Sequence, residues 1–287
     1  MKRIWIEGEQ LLGDYLMQTP AIRGIRVKYP GIPICYVTPQ DMGSRPLIEN
    51  TPEISRVFTT AQSRVMREKH DLVFHGGAGE AFSVAVGHHC SMAEAYCLMW
   101  NVPFDGGWYK INVPDQFRDL PTIRSPFVVL GRHSRSCTSN DPKIGVPNKC
   151  VSNTFWIECA KLLISRGITP VAVGAQQDAE DPAYFGLPEG CVLLYGQPLM
   201  NIAGVLQRAL FTISVDTGIR HMAAAVGGNL LTLNAAIPLE MIRCIPQHPS
   251  QHILEPTVDI HDPALYTSIQ PMIEDMIIRA RRCNSPS

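Results

Sequence analysis

Charge is scarce in this chain. Of its 287 residues only 18% are Asp, Glu, Lys or Arg, below the usual share for soluble domains, while 45% are apolar. So little charge means that much of the sequence is interior, as in α/β proteins whose strands are covered on both faces. Charge of one sign is scarcer still. A formal net charge of −1 excludes a global pull toward nucleic acid or an anionic membrane and leaves only local basic patches. No run of roughly eighteen apolar residues exists, so no bilayer-spanning helix is expected. Glu7 and Glu9 interrupt the stretch behind Lys2 and Arg3, so no secretory leader is expected either. The nine cysteines form no Cys-x-x-Cys pair, which reads as reduced thiols in a cytoplasmic setting.

What is present alternates. Short apolar runs at 3–6, 34–38, 57–58 and 71–74 read as strands, with a helix from about Tyr15 to Lys28 and a short one near 46–50. Residues 101–125, punctuated by Pro103, Gly106, Gly107, Pro114 and Pro121, break the pattern. It restarts with strands at 127–131, 170–173, 191–194, 211–215 and 230–233, and with helices at 153–165 and 199–210. The expected architecture is α/β with two Rossmann-like domains and parallel sheets, at 1–125 and 126–268. Residues 269–287 are expected to form a terminal helix that packs back toward the first domain.

Two tempting motifs fail. His75-Gly76-Gly77-Ala78-Gly79 is not G-x-G-x-x-G and does not follow the first strand, which disfavours a dinucleotide-dependent dehydrogenase. Close backbone approach or a substrate-facing loop suits it better. His88-His89-Cys90 would place adjacent imidazoles in different directions, with no acid or thiol at ligand spacing, so no metal is expected there.

The stretch from Phe211 to Gly227 organises the rest. A buried strand to Val215 turns at Asp216-Thr217-Gly218 and feeds a helix with Met222, Ala223 and Val226 on one face. Free N–H groups and the positive helix end at such a corner seat an anion, phosphate above all. An ordinary corner, capped by Asp216 or Thr217, fits the same residues. After the strand at 127–131 comes a long polar segment, 132–152, with Arg132, His133, Arg135, Lys143 and Lys149. Those cations suit a diphosphate; a solvated loop is the alternative.

Here a resemblance enters. Gly13-Asp14-Tyr15-Leu16-Met17-Gln18-Thr19-Pro20-Ala21 resembles the opening of the ADP-heptose:lipopolysaccharide heptosyltransferases, glycosyltransferase family 9. Leu47 to Val57 resembles the family's short helix and following strand. Ser214 to Ala225 resembles its Asp-Ser/Thr-Gly-x-x-His signature, and the strand, loop and Trp156 helix at 127–164 also correspond. Asn234 to Pro238 stands where the family commonly has a Gly-Pro-Thr loop.

The resemblance implies a GT-B fold and a glycosyltransferase that needs neither metal nor cofactor. A nucleotide diphosphate sugar would be the donor, and a glycan or another hydroxyl the acceptor. Asp14 would be the general base, and a helix cap is its plainer role. Asp216, Thr217, Gly218, Arg132, Arg135, Lys143, Lys149 and Gly174 would hold the donor, with His221 reaching the departing phosphate. Gly13, Gly76 and Gly77 would lie on the acceptor side. Two alternatives remain: transfer to a modified nucleobase, the one role in which nucleic acid would be a partner, and a non-catalytic nucleotide-sugar-binding protein.

Overall fold

Two parallel sheets, built from successive parts of the chain, carry everything else. The computed structural model describes residues 2–8, 12–38, 43–107, 109–118, 123–132, 149, 151–180, 186–235 and 237–283. The first sheet has β1 (Ile4–Glu7), β2 (Ile34–Thr38), β3 (Arg56–Thr59) and β4 (Leu72–His75) in the order β3-β2-β1-β4. Ile4, Trp5 and Ile6 are wholly buried, which is why β1 reads as a continuous apolar run rather than an alternating one. Glu7, one residue beyond the expected strand at 3–6, is the last residue of β1.

Helix α1 (Leu12–Lys28) returns across this sheet and buries Tyr15, Leu16, Ile22 and Ile25. It begins three residues before the expected Tyr15, so Asp14 sits inside the first turn and not at a cap. Then come α2 (Arg45–Glu49), α3 (Thr60–Met66), α4 (Ala78–His88) and α5 (Met92–Met99). The sequence reading missed α3, which is polar and short, yet Thr59 and Gln62 close it with a reciprocal capping box.

The second sheet comprises β5 (Phe127–Gly131), β6 (Thr169–Gly174), β7 (Val192–Tyr195), β8 (Thr212–Val215), β9 (Leu230–Leu233) and β10 (Ile253–Leu254). Its order is β10-β9-β8-β5-β6-β7, and every pairing is parallel. Its helices are α6 (Asn153–Ser165), α7 (Leu199–Arg208), α8 (Gly218–Ala225), α9 (Leu239–Ile242) and α10 (Leu265–Cys283). Ser152 caps α6, and Phe155, Trp156, Cys159, Ala160 and Leu163 form its buried face. Ile164 lies off that face and is 37% exposed.

The terminal helix corrects an expectation. Rather than returning to the first sheet, α10 buries Ile269, Ile273, Met276 and Ile277 with Val128, Leu130 and Ile213 of the second sheet and Trp156 of α6. An apolar stripe at helical spacing goes to the nearest uncovered sheet face.

Both sheets share one plan. The first strand of each is flanked by its second on one side and its fourth on the other, so the winding reverses between β1 and β4 and between β5 and β8. Open parallel sheets bind ligands outside the carboxyl ends of the strands at such reversals. The connecting segment lies along the second unit: the Ile111 N–H donates to the Ala225 carbonyl at 3.0 Å, and Gln247 Nε2 donates to the Tyr109 carbonyl.

Candidate active site

At the second reversal, β8 ends at Val215 and α8 begins at Gly218. Thr217 has extended backbone, and its hydroxyl accepts the Ile219 N–H at 3.1 Å. It therefore caps the helix while keeping its own proton for another acceptor. Asp216 is 5% exposed and collects cations. Its Oδ1 takes the Arg220 guanidinium at 2.8 Å, one turn on, and its Oδ2 takes Lys149 Nζ at 2.5 Å. Arg220 is wholly buried and also pairs with Glu255, so two carboxylates and two cations share one low-dielectric cluster. Burial works to raise the Asp216 pKa. His221, Arg220 and Lys149 outweigh it and hold the carboxyl well below its ordinary value. The cap and the carboxylate are thus both present at this corner, each on its own residue.

The start of α1 faces this corner. A Cβ on Gly13 would stand 3.2 Å from His221 Cδ2, and one on Gly218 would stand 3.0 Å from Leu12 Cδ2. Glycine at both positions lets two helix N-termini approach closely, each bringing a positive dipole end to the same seam. Asp14, half-buried, is the next residue of this first turn of α1. Gly13, Asp216, Thr217, Gly218 and His221, scattered in the sequence, therefore gather in one place, and Asp14 follows Gly13 in the chain.

His221 is not a cation. Its ring lies 3.7 Å from Asp216 Oδ1 and against Tyr109, with ring centroids 5.5 Å apart. Burial is the main influence and pulls its pKa down to about 4; Arg220 and Lys149 add to that, and Asp216 only partly offsets it. The ring is neutral at pH 7. Its buried Nδ1 has no partner among the described residues, and an orphaned polar atom marks a place where a ligand or water completes the network.

The remaining donor-side residues lie along the ends of β5, β6 and β7. Arg132 is buried and its guanidinium donates to the Tyr195 hydroxyl. A Cβ on Gly174 would meet Asp178 Oδ2 at 2.5 Å and the Tyr195 ring at 2.9 Å, so only glycine fits there. Arg132, Asp178, Leu187, Leu193 and Tyr195 enclose a cavity of about 210 Å³. A larger cavity, about 430 Å³, lies at the outer edge of the first sheet around Arg45, Arg56 and Phe58 and holds none of these residues. Lys149, in the 132–152 segment, reaches Asp216; His133, Arg135 and Lys143 lie outside the described residues.

At the first reversal stand Glu7 and His75, partners in register at the ends of β1 and β4. His75 Nδ1 lies 2.8 Å from Glu7 Oε2, and the Arg67 guanidinium takes Oε1 at 2.5 Å. Gly76 packs under Gln18 of α1, whose side-chain amide donates to its carbonyl at 3.3 Å. Gly77 is the residue before α4. Gln18 is one turn beyond Asp14 on the same helix face, which joins Gly76 to the seam. The sequence reading missed Glu7, Arg67 and His75, because strand register in a parallel pair is not written in one sequence. It also missed Arg220, although Asp216 and Arg220 at i, i+4 were a signal. His88 and His89 close α4 at the surface, and no described group of three His, Cys, Asp or Glu residues is placed to hold a metal ion.

The sequence model of glycosyltransferase family 9 (heptosyltransferase) matches residues 80–256, more than half of the chain. No curated protein matches the sequence. Among solved structures, the chain resembles ADP-heptose lps heptosyltransferase II of E. coli with a TM-score of 0.73 and 16% identity, over 99% of this chain and 100% of that one. A family 9 glycosyltransferase from Veillonella parvula aligns with a TM-score of 0.71 and 16% identity, over 98% and 96%. E. coli heptosyltransferase WaaC with ADP aligns at 0.66 and 18%, over 96% and 99%. The two facing sheets are the GT-B fold of these enzymes, and the chain belongs to glycosyltransferase family 9.

Proposed function

We propose that this glycosyltransferase moves a heptose-like sugar from a nucleotide diphosphate donor to a glycan hydroxyl by direct displacement, without a metal. The acceptor oxygen attacks the anomeric carbon and the bond from that carbon to the phosphate oxygen breaks. The proton of the attacking hydroxyl passes to Asp14, and the nucleoside diphosphate departs with the bonding pair. Asp14 suits this as a half-buried carboxylate at the seam. The N-terminus of α8, the Thr217 hydroxyl and Lys149 would neutralise the departing diphosphate, the work a metal would otherwise do. His221, being neutral, would position the sugar or phosphate by hydrogen bonding rather than by charge.

One observation carries this reading. The Gly13 end of α1 meets the Gly218 end of α8, and this close approach of the residue before Asp14 to the proposed anion seat supports the reading. A structural relative was solved with ADP, which makes ADP the first nucleotide to try. A cytoplasmic setting is supported by Cys35, Cys97, Cys159 and Cys244, all free buried thiols. Among the described residues no helix is long and apolar enough to cross a membrane.

The test is transfer from ADP-heptose to heptose-deficient lipopolysaccharide in the presence of EDTA, read as a one-heptose mass increase. Thermal shifts with ADP, UDP and GDP sugars run alongside, since selective stabilisation by one of them names the donor. Binding of ADP without transfer would remove the acceptor assignment. Activity abolished by EDTA and restored by a metal would remove the metal-free mechanism.

A further inference from the structure

One buried amide of α1 ties together the strand ends of the first sheet. Gln18 is wholly buried and lies one turn beyond Asp14 on the same helix face. Its Oε1 accepts the hydroxyl of Tyr36, in β2, at 2.8 Å, and its Nε2 donates to the carbonyl of Gly76, just past β4, at 3.3 Å. β1 lies between those two strands, so this side chain spans the carboxyl end of β1 at the reversal toward β4. Tyr36 is wholly buried too. Its ring meets that of Tyr15, the residue after Asp14, edge to face with centroids 5.3 Å apart. A Cβ on Gly8, the first residue past β1, would collide with the Tyr36 hydroxyl, so glycine is required where the chain leaves β1.

The turn after β4 is held at each polar group in succession. The His75 carbonyl accepts the Trp100 indole N–H at 2.8 Å, the Gly76 N–H donates to the Glu7 carbonyl at 3.0 Å, and the Gly76 carbonyl takes Gln18. A Cβ on Gly76 would stand 2.7 Å from Gln18 Nε2, so only glycine fits against the amide. Gly77 follows and opens α4. Packing alone does not explain a glutamine here. Its neighbours on the buried side of α1, Leu16, Ile22 and Ile25, are apolar, and an apolar side chain at 18 would fill the same space without desolvating an amide. What the amide adds is direction: a buried polar network with its partners in place admits one arrangement of the elements it joins. That arrangement lies where an open parallel sheet receives its ligand.

We propose that Gln18 and Tyr36 are positioning residues, which hold the Gly76–Gly77 turn, on the acceptor side, at a fixed spacing from the Asp14 turn of α1. This rests on the glycosyltransferase reading and concerns its acceptor half. An acceptor hydroxyl seated by the one turn meets the base on the other only while that spacing is kept, and small misplacements of reacting groups lower turnover steeply. The donor corner belongs to the second sheet, so diphosphate binding does not depend on this pair.

The experiment uses the complete chain, ADP-heptose and heptose-deficient lipopolysaccharide. Gln18→Met keeps the length of the side chain and removes both hydrogen bonds. Its kcat/KM for the lipopolysaccharide should fall about tenfold while the Kd for ADP stays within about twofold. The Gly76 amide should exchange with solvent about tenfold faster. Tyr36→Phe removes one oxygen and should lose less of both, and the double variant should be no worse than Gln18→Met, because the pair acts as one unit. An unchanged kcat/KM in Gln18→Met, an equal loss of ADP affinity, or additive losses in the double variant would overturn the proposal. Should Gln18→Met not fold, Tyr36→Phe carries the test: about a threefold loss of kcat/KM with ADP binding kept is expected, and no loss overturns it. If the parent binds ADP but transfers nothing to lipopolysaccharide, the acceptor named above fails and amide exchange decides. Faster exchange at Gly76 in Gln18→Met would uphold the pair's hold on the turn, and protection equal to the parent's would end the proposal.

Discussion

The two reversal points of this molecule are built on one topology and treated in opposite ways. Between β5 and β8 the side chains are closed in: Asp216 and Arg220 are buried and joined to Lys149 and Glu255 by ion pairs. Between β1 and β4 the corresponding carboxylate, Glu7, stays near the surface and holds an imidazole out to solvent. Fixed, desolvated charges suit a ligand whose charge is constant, because preorganised dipoles need no rearrangement when it arrives. The half-exposed Glu7 and His75 carry no such desolvated charge cluster. Under the proposed function, the second sheet would hold the nucleotide diphosphate and the first the glycan.

The comparison can be broken at its closed side first. Arg220→Leu would strand the carboxylates of Asp216 and Glu255 in a dry interior, and about 3–5 kcal/mol of stability should go, measured by urea unfolding. A loss under about 1 kcal/mol would mean that the cluster is wetter than described.

Next comes pH. The folded chain keeps His221 neutral down to about pH 4, whereas the unfolded chain protonates it near the ordinary 6.5. Between those values the unfolded state binds more protons. The contribution is therefore complete above pH 6.5 and lost as pH falls toward 4, on the order of 3 kcal/mol in all. Asp216, held well below 3.8, adds to the loss at still lower pH. His221→Gln should flatten the slope between pH 6.5 and 4 in urea midpoints; an unchanged slope would assign it to other groups.

Smaller effects sharpen the seam between the two points. Gly13→Val places a branched side chain against His221 Cδ2, 3.2 Å from where its Cβ would stand. Overpacking of that kind costs about 1–3 kcal/mol, and turnover should fall more than ADP binding, because α1 and not the anion seat is displaced. Lys149→Met should weaken ADP about tenfold by calorimetry, the effect of one charge-assisted contact.

How much of this was legible beforehand depended on the range of the interaction. Runs such as Phe127–Gly131 and Leu230–Leu233 announced buried strands through composition alone, and Asp216-Thr217-Gly218 announced a strand-to-helix corner. The alternation of strand and helix was enough for two parallel sheets. What failed was local ambiguity or distance. Gly13-Asp14 looked like the edge of a helix but lies inside one, because capping residues are also tolerated in a first turn. Thr59 and Gln62 did carry the capping-box spacing that marks α3, and attention to that signal would have found it. Nothing in the sequence links Lys149 to Asp216 or Glu7 to His75, pairs separated by 67 and 68 positions. Both exist only once parallel strands are laid side by side.

The central claim is that Asp14, at the start of α1, is the base acting on a sugar held over the start of α8. Asp14→Asn keeps the shape and removes the proton acceptor, so turnover with ADP-heptose should fall by about 10²–10⁴ while the Kd for ADP is unchanged. Turnover within about threefold of the parent, with ADP bound equally well, would contradict it, since a base of this kind contributes far more than that.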